Sequence, residues 1–305
     1  MSTRPIYREV ECGSALNRVR GMPFDWSLNP YKGCVHSCRY CFARAYHARM
    51  GRDVGPGFDR EIDVKINFVE TLRRELRKRP TGSVAIGTAT DPYQPCEGRY
   101  RLTQGVLLAL CDFPIPASIV TKSTLIVRDI SLLVRLSEAL RGELRVCFSV
   151  PTLEREVWRR AEPGTPPPTQ RIRALAMLRD AGIDAGVLCA PVLPGLTDSI
   201  ESLDLVAAAA AGAGATFFGW RPLKLDPEIR EYYFDFIAQE FPVLSASYAR
   251  LYATGAHTQR SYQDDLDRRL SEIKGRYSLE DRYRAETRQP RAAIERQPAQ
   301  MTLAF

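Results

Sequence analysis

Residues 29–46, NPYKGCVHSCRYCFARAY, carry Cys34, Cys38 and Cys41 in a C-x3-C-x2-C spacing. Thiolates that close together make a soft donor set, and iron–sulfur clusters are held by such thiolates. A cubane cluster has one more iron than this loop has cysteines, so one iron stays open to a substrate or cofactor. A structural zinc site built on Cys38-x2-Cys41 is the competing reading, but zinc wants four ligands, commonly as two spaced pairs. No second C-x2-C and no H-x3-5-H occurs, and Cys12, Cys96, Cys111, Cys147 and Cys189 are scattered singly. His36 is the nearby candidate for a fourth zinc ligand. The spacing favours a cluster with an open coordination position.

With its flanking Asn29, Pro30, Tyr31, Gly33, His36, Tyr40, Phe42, Ala43 and Arg44, the stretch resembles the signature of the radical S-adenosylmethionine (SAM) superfamily, and its spore photoproduct lyase branch in particular. The resemblance implies a [4Fe–4S] cluster on Cys34, Cys38 and Cys41 whose open iron chelates the amino and carboxylate groups of SAM. It further implies reductive cleavage of SAM to a 5′-deoxyadenosyl radical that abstracts hydrogen from a substrate. In such enzymes the cofactor supplies the radical chemistry, while the protein orients it and excludes solvent.

Outward from this loop, a chain of 305 residues with 45% apolar content can bury a large core. The N-terminus MSTRPIYREV lacks an apolar stretch of the secretory kind. The longest uncharged run, Leu205 to Trp220, is too short and too rich in Gly and Ala for a membrane span. Eight cysteines outside a disulfide framework fit a reduced, cytoplasmic setting and a metal site. A net charge of +7 is compatible with a polyanionic partner, without deciding for one.

Short β-branched runs alternate with amphipathic helical patterns, the mark of β/α units and a parallel sheet. A first strand is expected just before Cys34, with the cysteines in the loop after it and a helix through Tyr46 and Met50. A helix over Phe68–Lys78 then precedes strands at Ser83–Thr88, Ala117–Thr121, Leu144–Val150, Ala185–Ala190 and Ala215–Trp220. Helices are expected between them at Thr103–Cys111, Asp129–Leu140, Thr169–Ala181 and Ser199–Ala211. The fold class is therefore α/β, a partial (β/α)6 TIM-like barrel with a parallel sheet, an N-terminal extension and a C-terminal helical region. The expected boundaries are 1–28 for the extension, 29–225 for the barrel, 226–281 for the helical region and 282–305 for a flexible tail. Glu228–Tyr252 reads as one long helical cap and Gln259–Arg276 as a second charged helix.

In parallel β/α folds, functional residues gather at the C-terminal strand ends, and polar clusters lie there in this sequence. After the second strand comes TDPYQP (90–95), after the third Lys122-Ser123, and after the fourth Ser149. By resemblance, Thr90 and Asp91 sit where the SAM amino group is held, Lys122 and Ser149 would contact its carboxylate or ribose, and Phe42 packs near its adenine. Residue type alone leaves other roles open: Asp91 as a cap in a proline-shaped turn, Lys122 as a solvated rim residue, Phe42 as ordinary packing. Arg128-Asp129 reads as a helix start, and Glu162–Pro168 (EPGTPPP) as a rigid loop over the barrel mouth. Spore photoproduct lyase uses a cysteine near the second strand end as hydrogen-atom donor; this chain reads Thr88-Ala89-Thr90 there. Cys96, a few residues on, is a candidate donor or a packed free thiol.

From Arg282 to Gln300 the chain is rich in Arg, Gln and Pro and is expected to be disordered. It ends in Gln300-Met301-Thr302-Leu303-Ala304-Phe305, matching the Q-x-x-L-x-F pattern by which bacterial replication and repair proteins bind the β sliding clamp. A tether presenting Gln300, Leu303 and Phe305 to a groove suits such a contact. The expected function is a radical SAM enzyme acting on a damaged DNA base flipped out of the stack, served by a flavodoxin- or ferredoxin-type electron donor. The alternatives are the same chemistry on a peptide, nucleoside or metabolite, or a non-catalytic iron–sulfur adaptor on the clamp.

Overall fold

The computed structural model describes residues 4–281. Its strands, in chain order, are β1 (Ile6–Val10), β2 (Asn17–Arg18), β3 (Trp26–Leu28), β4 (Tyr31–Lys32), β5 (Glu61–Lys65), β6 (Val84–Ile86), β7 (Ala117–Thr121), β8 (Leu144–Ser149), β9 (Ala185–Val192), β10 (Phe217–Pro222) and β11 (Glu280–Asp281). The larger sheet has the order β11-β10-β9-β8-β7-β6-β3-β2. From β3 through β10 each strand lies parallel to the next, so every crossover is a β/α unit. The two edges, β2 and β11, do not meet, which makes an open, partial (β/α)6 barrel.

The helices are α1 (Arg44–Ala48), α2 (Pro56–Arg60), α3 (Phe68–Leu76), α4 (Glu97–Tyr100), α5 (Leu102–Asp112), α6 (Ile130–Ala139), α7 (Arg155–Ala161), α8 (Pro168–Asp180), α9 (Ile200–Gly212), α10 (Pro227–Glu240), α11 (Ser245–Leu251) and α12 (Arg260–Arg276). The crossover helices each bury one stripe at helical spacing. Phe68, Leu72 and Leu76 do so on α3, and Leu203, Val206, Ala207 and Ala210 on α9. These stripes join Ile119, Val146, Phe148, Val187 and Phe218 of the sheet in one apolar core. Leu266, Leu270 and Ile273 of α12 enter the same core, so this charged helix completes the outer layer beside the last strand.

Three features depart from the sequence reading. The first parallel strand of the large sheet is Trp26–Leu28, whereas Tyr31–Lys32, just before Cys34, belongs to a separate three-stranded sheet of order β1-β5-β4. The cap expected over Glu228–Tyr252 is broken: α10 ends at Glu240, a 3-10 turn covers Pro242–Leu244, and α11 follows. Pro242 has no N–H to donate and disfavours helical backbone at the residue before it, and Phe241 accordingly leaves the helix at φ −141°, ψ 56°. Helix α7, directly after β8, had no separate signature in the periodicity.

Gly87 ends β6 with φ +84°, and a Cβ there would lie 2.6 Å from the Val120 carbonyl oxygen. Gly142 has φ +81°, but a Cβ there meets nothing within 4 Å. Gly142→Ala is expected to cost about 1 kcal/mol, from the left-handed backbone alone. Gly87→Ala is expected to cost about 2–4 kcal/mol, because the Val120 strand must also give way. Urea midpoints at unchanged m-value would check the contrast.

Candidate active site

The cysteine loop follows β3 and β4 at the C-terminal ends of the parallel strands and has almost no regular structure of its own. Gly33 opens it with φ +81°, at a spot where a Cβ would lie 2.7 Å from the Glu61 carbonyl oxygen, so only glycine makes this turn. Its buried backbone polar groups need partners, and other strand ends supply them. Thr90 Oγ1 donates to the Gly33 carbonyl at 2.7 Å, and Gln94 Nε2 donates to the same oxygen at 3.2 Å. Gln94 Oε1 accepts from the Val35 N–H at 3.2 Å, while its Nε2 also reaches Thr90 Oγ1 at 3.0 Å. Upstream, Asn29 Oδ1 accepts the Ala89 N–H at 2.8 Å, tying the loop's entrance to the second strand end.

Asp91 completes this latch. One carboxylate oxygen accepts from Thr121 Oγ1 at 2.8 Å and the Tyr93 N–H at 2.9 Å. The other accepts from the Lys122 N–H at 2.7 Å and faces His36 Nδ1 at 3.3 Å. Burial pushes its pKa up, but His36 and these hydrogen bonds outweigh it and hold the group below the usual carboxylate range. The four partners occupy the lone pairs that a SAM ammonium would need, so the local-cap role is the one this geometry supports. Thr90 is likewise engaged with the loop.

On the loop's other side, Arg39 N–H donates to the Ala161 carbonyl at 2.9 Å and Gly164 N–H to the His36 carbonyl at 3.1 Å. A side chain at Gly164 would collide with the Val35 carbonyl oxygen. Arg44, fully buried, donates from Nε to the Cys38 carbonyl at 3.0 Å, pairs with Asp59 at 2.6 Å, and lies 4.7 Å from the ring centroids of both Phe58 and Tyr232. The C-terminal region covers this side: Cys38, Tyr40 and Ala45 share an apolar cluster with Leu225, Tyr233, Phe236, Tyr248 and Tyr252.

Cys34 and Cys38 are buried, Cys41 is half-buried, and all are free thiols. Burial pushes Cys34 well up, helped by Asp91, Cys38 and Cys41. It pushes Cys38 to about 12; Lys122 pulls this back while Glu162 and Cys41 oppose it. His36 is turned toward Asp91. A soft set of three thiols without a carboxylate ligand fits an iron–sulfur cluster. Ligation deprotonates such thiols, and the metal offsets the cost.

Lys122 and Ser149 stand at adjacent strand ends, as expected. Lys122 Nζ lies 5.6 Å from the Tyr40 ring centroid and 3.8 Å from Glu162, and Ser149 Oγ donates to the Ala190 carbonyl at 3.0 Å. Phe42 is 45% exposed and meets Tyr46 edge-on, whereas Tyr40 is the aromatic turned inward. Cys96 packs with Tyr31, Ile62, Val64 and Leu102 in the small core of the three-stranded sheet. Burial there, with Glu97 beside it, pushes its thiol to about 12. Val35 of the cysteine loop packs against the same cluster, so the packed-thiol role is the one this geometry supports for Cys96. Gln300, Leu303 and Phe305 lie outside the described residues. Sequence reasoning missed Tyr40, Gln94, Glu162 and Arg171; all but Arg171 sit in stretches it had quoted, but their direction was not visible.

Gln94→Leu should strip the Val35 N–H and weaken the hold on Gly33, costing about 2–3 kcal/mol. Thermal melts and the iron content of the reconstituted protein would check it. Asp91, with its folded pKa depressed, stabilises the fold above the ordinary carboxylate range, and that contribution fades as pH falls through about 4 and below. The stability gap between the apo wild type and Asp91→Asn should therefore be wide near neutral pH and shrink toward about pH 3, as denaturant titrations would reveal.

Comparison with known proteins agrees with this geometry. The model of the radical SAM superfamily matches residues 28–206. An uncharacterized Mycobacterium tuberculosis protein is 39% identical over 305 residues, covering 97% of this chain and 88% of that one. A radical SAM Nα-GlyT isomerase of Pseudomonas phage M6 is 26% identical over 57% of this chain and 35% of its own length. Among solved structures, a spore photoproduct lyase mutant with bound AdoMet and dinucleoside spore photoproduct superposes with TM-score 0.62 at 16% identity, over 88% of this chain and 78% of that one. The superfamily uses a [4Fe–4S] cluster and SAM. The chain belongs to the radical SAM superfamily.

Proposed function

We propose that this radical SAM enzyme cleaves SAM reductively and takes hydrogen from a damaged DNA base. The observation that carries the reading is the position of the cysteine loop: Cys34, Cys38 and Cys41 stand at the C-terminal ends of parallel strands, with Lys122 and Ser149 at neighbouring ends. Bound to those thiols, the cluster with SAM supplies a 5′-deoxyadenosyl radical. The chain's own residues bind and shield. Lys122, kept protonated by the charges around it although burial works against this, offers an ammonium for the SAM carboxylate. Ser149 lines the next strand end, toward the ribose, and Phe42 offers an exposed ring to the adenine. Thr90 and Asp91 act indirectly, by fixing the loop.

A DNA substrate is supported by the +7 net charge and by the fold shared with spore photoproduct lyase, whose structure holds a dinucleoside photoproduct. The barrel over 29–225 would carry the chemistry, with α10 and α11 of the 226–281 region closing over the cysteine loop. Gln300, Leu303 and Phe305 would dock a bacterial sliding clamp in the cytoplasm, and a flavodoxin- or ferredoxin-type protein would supply electrons.

Anaerobic reconstitution with iron and sulfide, followed by SAM and dithionite, should yield 5′-deoxyadenosine from the wild type and none from Cys38→Ala. Lys122→Met should weaken SAM binding about tenfold, the loss of roughly one charge-assisted contact. UV-irradiated DNA should then be consumed. SAM cleavage that leaves such DNA untouched would point to a non-DNA substrate, and a loaded cluster without cleavage to an adaptor.

A further inference from the structure

Between the cysteine loop and the strand ends lies a buried charge network. Glu162, 2% exposed, accepts a hydrogen bond from the Tyr40 hydroxyl and pairs with Arg171 Nη2 at 2.5 Å and Lys122 Nζ at 3.8 Å. Arg171 is fully buried and also donates to the Ser149 carbonyl and the Pro166 carbonyl, each at 2.9 Å. The carboxylate is ionised: burial raises its pKa, but Arg171 and Lys122 bring it below the ordinary range. One anion therefore faces two cations, and Tyr40, the residue joining this group to the loop, lies between Cys38 and Cys41.

A surplus positive charge is costly in a buried setting unless an opposite charge compensates it. Neutral thiols do not compensate it, whereas thiolates ligating a cluster do. The network is thus matched to an anionic metal centre, and Glu162 is the member whose charge runs the other way. Iron–sulfur potentials respond to net charge, hydrogen bonding and exposure around the cluster. A fixed anion beside the centre disfavours adding an electron, and a fixed cation favours it.

We propose that Glu162 is a positioning residue that sets the reduction potential of the group on the cysteine loop, holding Tyr40 and Lys122 in place and opposing reduction with its own charge. The inference rests on the cluster-bearing site proposed above. It also assigns the EPGTPPP stretch a role beyond stiffness: proline-rich backbone holds this carboxylate where water is excluded.

The test is a redox titration of the reconstituted protein without SAM, followed by electron paramagnetic resonance, on wild type, Glu162→Gln, Glu162→Asp and Lys122→Met. The expected midpoint rises in Glu162→Gln, stays near wild type in Glu162→Asp, and falls in Lys122→Met. If Glu162→Gln fails to load a cluster, the downward shift in Lys122→Met together with a near-native Glu162→Asp midpoint sustains the proposal. A Glu162→Gln titration superimposed on that of the wild type overturns it and leaves the proposed function standing. A wild type without a reducible cluster signal overturns the proposed function and this inference with it.

Discussion

A loop rich in buried backbone polar groups, with little helix or strand to pair them, depends on side chains from elsewhere. Gly33, Val35, His36 and Cys38 hand their carbonyls or N–H groups to Thr90, Gln94, Gly164 and Arg44. Each buried group left without a partner would cost roughly 1–3 kcal/mol, so the loop forms only when its partners are in place. Those partners belong to the second strand end, the segment before α8, and α1. Forming the sheet and shaping the cysteine loop are therefore one event, and the site inherits the rigidity of the barrel.

The same constraint explains why the two C-terminal layers differ. Helix α12 packs Leu266, Leu270 and Ile273 on the outside of the barrel and serves the sheet. Helices α10 and α11 bring Tyr233, Phe236, Tyr248 and Tyr252 against Cys38 and Tyr40 and serve the loop. The break at Pro242 lets α10 and α11 fold back on each other, so that Tyr233 of α10 meets Tyr248 of α11 with ring centroids 5.7 Å apart, while Tyr252 donates to the Leu223 carbonyl at 2.8 Å. An unbroken helix would extend away from the loop and leave its apolar side wet.

Much of the fold was legible because β/α units announce themselves locally: a short β-branched run, a turn, then apolar residues at helical spacing. The strands at Ala117–Thr121 and Leu144–Ser149 match their expected positions to within a residue. The three-stranded sheet escaped because Ile6–Val10 is mostly exposed and pairs with Glu61–Lys65, far along the chain. At the site, the resemblance implied Asp91 as a contact to the SAM amino group and Phe42 as packing near its adenine, while residue type left a local cap and ordinary packing open. The structure turns Asp91 toward Thr121, Tyr93, Lys122 and His36, and buries Tyr40 instead. Both outcomes depend on side-chain direction, which residue type does not encode.

By itself the sequence determined the donor set, since Cys34, Cys38 and Cys41 share one short loop whatever the fold, and it determined the parallel α/β layout through its alternating periodicities. Only the tertiary structure decided what surrounds those thiols. Lys122 is far along the chain from Glu162 and Arg171 and meets them because strand ends and the segment before α8 converge at one rim. Cys96, close in sequence to the TDPYQP stretch, is instead drawn into a separate apolar cluster. Electrostatic and hydrogen-bonding partners are set by distance in space, and for a loop fed by four strand ends that distance exists only once the sheet has formed.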